Sequence, residues 1–380
     1  MRKHVLCGLD RLAEADKVLR NRRVGLMTNP TGIDHDLHSA IERVHERYQL
    51  TALFGCEHGI RGTLQAGDHV AASADDETGV PIYSVYGETR HMTPEMLDAI
   101  DVLVFDMQDV GARFYTYLYS LSYAMTDCAN AGKPVVVLDR VNPLGGLWVQ
   151  GTLLDEAFHS FVGEYALPTR YGLTIGEYAL WVKTHLNLKM DLTIVPMAGW
   201  ERGMLLDDTD VPWMPPSPNC PTLSSALCFI GTCVFEGTNL SEGRGTTTPF
   251  EWVGAPWVDA RRLESEMRSL VLPGIGIRRA SFTPMFSKHA GEMCHGVQIH
   301  ITNRKEADPF AAGLYLLDTL RRMHSDCFEW LNHEGRYHTD LILGTDAYRL
   351  GTLDAQSLIA RQAPLLEAFR RDKQRYHLYS

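Results

Sequence analysis

The sequence predicts an α/β fold, a Rossmann-like and mostly parallel sheet followed by a smaller C-terminal α+β unit, and three observations carry that reading. The first half alternates short β-rich runs with helical stretches, the pattern that produces right-handed βαβ units. Segments such as VLVF (102–105) and VVVL (135–138) are apolar on both faces, as parallel strands covered on both sides must be. The 380 residues exceed the ~250–300 at which a single core stops growing. The chain is therefore expected to divide into residues 1–258, a Rossmann-like domain, and 259–380, an auxiliary α+β domain.

In chain order, strands are expected at Arg23 to Asn29, Leu50 to Gly55, Pro81 to Tyr86, Asp101 to Asp106 and Pro134 to Asp139, with helices at Asp36 to Tyr48, Thr93 to Ile100 and Tyr115 to Ala131 between them. The next helix, Thr174 to Leu186, opens with Thr174 as N-cap and Glu177 three residues on, a capping box, and a strand at Asp191 to Met197 follows. From Pro212 to Pro256 the composition turns to Pro, Gly, Ser, Thr and Asn, which reads as functional loop. The pattern resumes with a helix (Arg261 to Leu270), strands (Ile275 to Phe282, Gly296 to Thr302), a helix (Pro309 to Met323) and a closing helix (Ala355 to Tyr376).

Composition narrows the function. With 45% hydrophobic and 22% charged residues the chain matches globular averages, not disordered ones. Its 36 Lys plus Arg against 47 Asp plus Glu give a formal charge of −11, without the basic surface that nucleic acid or an anionic membrane requires. No apolar run approaches the ~18 residues of a membrane span or a signal core, so a cytoplasmic location is expected. The eight cysteines are scattered and form no C-x-x-C pair, which reads as reduced thiols and not as a disulfide or zinc framework.

Ligands of an open parallel sheet bind outside the carboxyl ends of its strands, and those ends are polar here. They read Asn29-Pro30-Thr31-Gly32, Glu57-His58-Gly59, Asp106-Met107-Gln108-Asp109 and Asp139-Arg140-Val141-Asn142. A G-x-G-x-x-G turn, a P-loop, G-x-S-x-G and H-E-x-x-H are all absent, so no cofactor and no metal is expected. Glu57, placed where an apolar strand ends, is the leading candidate: a carboxyl group against low-dielectric core is held protonated, as a general acid requires. Asp106, Asp109, Glu236 and Glu242 compete for the role of second carboxyl group. The loop Ser241 to Thr246 offers two glycines and Arg244, whose fork suits an anionic ligand. Aromatic residues at 114, 115, 117, 119 and 123, and tryptophans 200, 213, 252 and 257, suit the apolar face of a sugar. A weaker reading makes His58, Asp106 and Asp109 the ligands of a metal-dependent hydrolase.

The segments FGCEHGIRG (54–62), VFDMQDVGARFYTY (104–117), VLDRVNPLGG (137–146), SPNCPT (217–222), FEGTNLSEGRGTTTPFE (235–251) and KHAGEMCHGVQIHIT (288–302) together resemble the bacterial exo-β-N-acetylmuramidases of the NamZ type, formerly a domain of unknown function. The resemblance implies a cofactor-independent glycosidase with a cleft between a Rossmann-like catalytic domain and a smaller one. Such an enzyme releases N-acetylmuramic acid from the non-reducing ends of peptidoglycan fragments. The family's P-E-H-G motif falls on Cys56-Glu57-His58-Gly59, with Cys in place of Pro, and makes Glu57 the catalytic acid. Asp106 or Glu236 is then the assisting carboxylate, or the substrate's own 2-acetamido group takes part. Asn29, His58, Asp109, Arg113, Tyr117, Arg140, Asn219 and Arg244 are the expected substrate-binding residues, with Arg113, Arg140 or Arg244 clamping the lactyl carboxylate. The alternative is a muropeptide- or sugar-binding protein that keeps the cleft without catalysis.

Overall fold

The computed structural model describes all residues except Met1, His58, 62–72 and Glu88, together with the side chain of Ser73. A helical segment, Leu9–Ala15 running into α1 (Asp16–Leu19), precedes the sheet. The elements that follow are β1 (Arg23–Thr28), α2 (Ala40–Arg47), β2 (Gln49–Gly55), β3 (Ser73–Ala74), β4 (Pro81–Ser84), α3 (Pro94–Asp98), β5 (Val102–Asp106), α4 (Tyr117–Asn130) and β6 (Val135–Leu138). A short antiparallel pair, β7 (Gln150–Leu153) and β8 (Pro168–Arg170), precedes α5 (Ile175–His185) and β9 (Leu192–Val195).

Seven strands form the main sheet in the order β3-β4-β2-β1-β5-β6-β9. All neighbours are parallel except the edge strand β3, which runs antiparallel to β4. Counted among the parallel strands alone this is the 3-2-1-4-5-6 order of a doubly wound sheet, as the alternating apolar runs predict. Leu103, Val104, Phe105, Val135, Val136 and Val137 are wholly buried, because helices cover both faces. The helix starts are set by side chains: Ser39, Thr93 and Thr174 each accept a hydrogen bond from the third residue of their helix.

The segment from 212 to 256 corrects the expectation of continuous loop. It contains α6 (Leu223–Thr232), a 3-10 turn at Cys233–Gly237 and β10 (Trp252–Ala255). Almost every residue of α6 is buried, so it carries no amphipathic period to betray it. Beyond it lie α7 (Ala260–Ser269), β11 (Ile275–Phe282), β12 (Cys294–Ile301), α8 (Pro309–Met323), β13 (Asn332–His333), β14 (Arg336–Tyr337), α9 (His338–Leu343) and α10 (Ala355–Asp372). β10, β12 and β11 form an antiparallel sheet in that order. One hydrophobic cluster runs from Val110 and Phe114, in the loop after β5, through α6 and α8 to Ile342 and takes in Val253, Val297 and Ile299, so the antiparallel sheet shares a core with the loops beyond the main strands, while the main strands pack in two other clusters.

Candidate active site

The C-terminal end of β2 supplies one wall. Directly after the strand the chain turns, with the Gly59 amide donating to the Cys56 carbonyl at 2.9 Å. Gly59 holds φ +73°, a left-handed conformation that glycine adopts without the cost a Cβ imposes. The turn leaves Glu57 half-buried. Its two oxygens accept hydrogen bonds from the Tyr86 hydroxyl at 2.9 Å and the Thr116 hydroxyl at 2.6 Å. Arg61 pairs with Asp75 at 2.5 Å and Glu77 at 3.6 Å, and among the described residues Glu57 enters no ion pair. His58 lies outside the described residues.

The facing wall comes from the second half of the chain. Glu236, in the 3-10 turn that continues α6, takes the Arg244 Nη2 at 2.7 Å on one oxygen and the His338 Nε2 at 3.2 Å on the other. Burial works against its charge, but the Arg244 guanidinium, the His338 contact and Lys288 outweigh it and hold the carboxyl at about 2. Arg244 also approaches Glu242 at 3.5 Å, and its guanidinium stands 5.0 Å from the centre of the Phe250 ring. Burial disfavours the Arg244 charge as well, while Glu236 and Glu242 hold it on. Behind this pair Lys288 contacts Glu242 at 2.7 Å and donates to the Phe235 and Thr238 carbonyls at 2.7 and 3.0 Å. The turn carrying Glu236 is thereby pinned on both sides.

Between the walls is a cavity of about 150 Å³ lined by Glu57, Thr116, Ser217, Asn219, Glu236, Arg244 and His338 on its polar side. Its apolar side is Phe114, Tyr115, Phe229 and Phe250, with Phe114 and Phe250 packed against Phe229 at ring-centre distances of 4.8 and 4.6 Å. Asn219 is only 7% exposed, and its amide has no protein partner among the described residues. Lining the cavity, that carboxamide can both donate to and accept from a ligand. The arrangement offers a carboxyl group that, among the described residues, is bonded by two hydroxyls, together with an ionised carboxylate, a cation and an aromatic floor.

Of the expected residues the structure brings Glu57, Glu236, Asn219 and Arg244 together, and the other described ones sit elsewhere. Asp106 and Arg140 are joined bidentately at 2.6 and 2.7 Å, both buried, and Asp106 keeps the Arg140 cation charged against the penalty of burial. Neither lines the cavity, so the readings of Asp106 as assisting carboxylate and of Arg140 as clamp are corrected: each is spent on the other. Asp109 is likewise buried, accepting from the Gly111 amide at 2.6 Å and from the Tyr171 hydroxyl. Arg113 is consumed by the carbonyls of Thr152, Leu167 and Ile342 at 3.0, 3.1 and 2.5 Å. Tyr117 donates to the Pro216 carbonyl at 2.7 Å, and Asn29 accepts from the Thr31 amide and hydroxyl at 2.9 and 2.6 Å. These residues build the walls from behind. The crevice beside β1 and β5, where a doubly wound sheet usually binds its ligand, keeps only about 20 Å³ between Thr31, Gln108, Arg140 and Trp213.

Sequence reasoning missed His338, Lys288, Tyr86 and Thr116. Thr116 and Lys288 lie inside the motifs quoted above, and Tyr86 closes the expected third strand. His338 carried no signal, standing in a stretch without periodicity.

Two family models cover nearly all of the chain: the exo-β-N-acetylmuramidase NamZ N-terminal model over residues 24–224 and its C-terminal model over 227–379. The chain is 44% identical, over 99% of its length and 91% of the relative's, to the peptidoglycan β-N-acetylmuramidase NamZ of Bacillus subtilis strain 168. Two crystal structures of DUF1343 family proteins from Bacteroides fragilis NCTC 9343 share the fold. One has a TM-score of 0.92 at 35% identity with both chains covered completely, the other 0.78 at 29% with 99% of each covered.

Proposed function

The chain belongs to the exo-β-N-acetylmuramidase NamZ family, and from that premise we propose that Glu57 is the general acid and Glu236 the assisting carboxylate of a glycosidase acting on peptidoglycan-derived glycans that end in N-acetylmuramic acid. The observation that carries the reading is the single cavity into which Glu57 projects opposite the Glu236–Arg244–His338 cluster.

Glu57 donates its proton to the glycosidic oxygen as the bond to the anomeric carbon breaks. Glu236, held ionised, is unsuited to that task and faces the developing positive charge instead. Because Arg244 and His338 occupy both its oxygens, it is a poor nucleophile; the substrate's acetamido oxygen attacks the anomeric carbon while Glu236 receives the amide N–H. Water then opens the bicyclic intermediate and returns a proton to Glu57, so the product keeps the starting configuration. The free edge of Arg244 and the Asn219 amide receive the lactyl carboxylate, and the aromatic side takes the apolar face of the ring.

The test uses two substrates with wild type and Glu57→Gln. With a disaccharide bearing N-acetylmuramic acid at its non-reducing end, the variant is expected to lose about 10²–10⁴-fold in kcat. With p-nitrophenyl β-N-acetylmuramide, whose leaving group needs little protonation, the loss is smaller. Equal losses on both substrates, or none, would remove Glu57 from the acid role. The first-formed anomer, read by NMR, checks retention, and an inverted product would overturn the acetamido route.

A further inference from the structure

We propose that His4, His35 and Asp210 form a surface site for a divalent transition cation of the zinc class, separate from the cleft that holds Glu57. The three residues come from distant parts of the chain: the N-terminal segment, the loop between β1 and α2, and the stretch after β9. Their donor atoms nevertheless all lie within 4.8 Å of one another. His4 Nδ1 is 2.6 Å and His35 Nε2 3.9 Å from the same Asp210 oxygen, Oδ2. Bonds of about 2.0–2.1 Å in a tetrahedral site place donors about 3.3 Å apart. The two observed separations straddle that value, and rotations of exposed rings close the difference. Two imidazoles and a carboxylate leave room for water in the remaining position, a donor set that suits Zn²⁺, Co²⁺ or Ni²⁺.

The backbone around the three ligands is already fixed. The other Asp210 oxygen, Oδ1, accepts from the Val5 amide at 2.9 Å, and the Asp210 amide donates to the Lys3 carbonyl at 2.9 Å. On the opposite side the His35 amide is held by Asp10 at 2.6 Å, whose second oxygen takes the Cys7 amide at 2.6 Å. The two rings meet edge to face with centres 4.9 Å apart, and each presents one nitrogen to Asp210 Oδ2. Support of this kind orients metal ligands and typically governs affinity by tenfold or more. None of the three residues lines the active cavity. His4 and His35 border a groove that also carries Asp34 and Asp36, along with Arg43 and Arg47. A bound cation therefore staples the N-terminal segment to two loops that flank the sheet, and acts on stability instead of on chemistry.

The experiment titrates tag-free, chelator-stripped full-length protein with Zn²⁺ by calorimetry and with Co²⁺ by visible absorption. Thermal unfolding is followed with and without Zn²⁺. One ion per chain is expected, with the absorption of a low-coordinate Co²⁺ centre and a Tm that rises with Zn²⁺. His35→Ala and Asp210→Asn are each expected to weaken Zn²⁺ binding by roughly tenfold or more and to abolish the Tm rise, while muramidase activity stays at the wild-type level. If wild type binds no Zn²⁺ at millimolar concentration, or both variants bind it as tightly as wild type, the His4–Asp210 contact is only a hydrogen-bonded pair and the proposal falls.

Discussion

At the scale of single residues, position after a strand was the readable quantity and partnership was not. Glu57, Glu236, Asn219 and Arg244 announce themselves because each closes an apolar run or sits among glycines and prolines that cannot continue an element. Asp106 and Arg140 announce themselves in the same way, yet they lie at the ends of neighbouring strands β5 and β6 and neutralise each other. Nothing in a linear pattern tells such a pair from two ligands for a third party. Asp109 makes the distinction measurable. Burial pushes its carboxyl up from 3.8 to about 6, with the Tyr171 and Gly111 hydrogen bonds opposing. The folded chain thus keeps a proton that the unfolded chain releases. This contribution to stability is complete below about pH 4 and is lost as pH rises through 6. Asp109→Asn carries no such charge, so its Tm relative to wild type is expected to climb between pH 4 and pH 6 and then level off; a difference independent of pH would refute the assignment. Glu236 has the opposite sign. Its carboxyl at about 2 stays ionised from pH 5 upward, and Glu236→Gln is expected to lower kcat across pH 5–8 without moving the acid limb of the profile. An acid limb that shifts in the variant would show that Glu236 is the titrating group.

At the scale of elements, strands covered on both faces and helices with capping boxes were legible, and an all-buried helix was not. The α5 box at Thr174 and Glu177 is present as expected, with Glu177 bonding back to the Thr174 amide at 3.1 Å. The helix α6 escaped because LSSALCFIGT is buried around nearly its whole circumference and follows a proline-rich stretch that reads as loop. Its packing explains its one glycine. Gly231 on α6 meets Gly313 on α8, and a Cβ built on Gly231 collides with the Pro309 carbonyl. Neither backbone yields cheaply, so the crossing exists only because both residues lack side chains. Since α6 runs directly into the turn that holds Glu236, the crossing also sets the height of that carboxylate above the cleft. Gly231→Ala is therefore expected to cost about 1–3 kcal/mol of stability, read from denaturant midpoints, and to raise KM and lower kcat together. A variant that loses stability with wild-type kinetics would show that α6 does not position Glu236.

At the scale of the whole molecule, the sequence yields two patterned regions but not the way the cleft is shared between them, because that depends on contacts between residues more than two hundred positions apart. Arg113 is the clearest of these. It was expected to meet substrate, since it follows β5 and belongs to a motif, but its guanidinium is fully buried and feeds three backbone carbonyls, at Thr152, Leu167 and Ile342. Ile342 belongs to α9, the helix that begins at His338, and lines the cavity. A single side chain thus joins the loop after β5, which carries Phe114 and Thr116, to the element that presents His338. Burial lowers the Arg113 pKa to about 10, which leaves it charged at neutral pH, with both Nη atoms donating and Nε without a partner. Replacing it by methionine keeps much of the apolar stem but takes the donor from the Ile342 carbonyl and leaves those of Thr152 and Leu167 with one long bond each, from Thr169 Oγ1 and the Leu154 amide at 3.4 Å, at about 1–3 kcal/mol for a buried acceptor left unsatisfied. Arg113→Met is expected to lower stability, read from the denaturant midpoint, by on the order of 3 kcal/mol, and to lose activity ahead of the far-ultraviolet signal as the α9 wall detaches while the sheet survives. If activity and secondary structure are instead lost in one transition, the two sides stay joined without the guanidinium, and Arg113 is not the link between them.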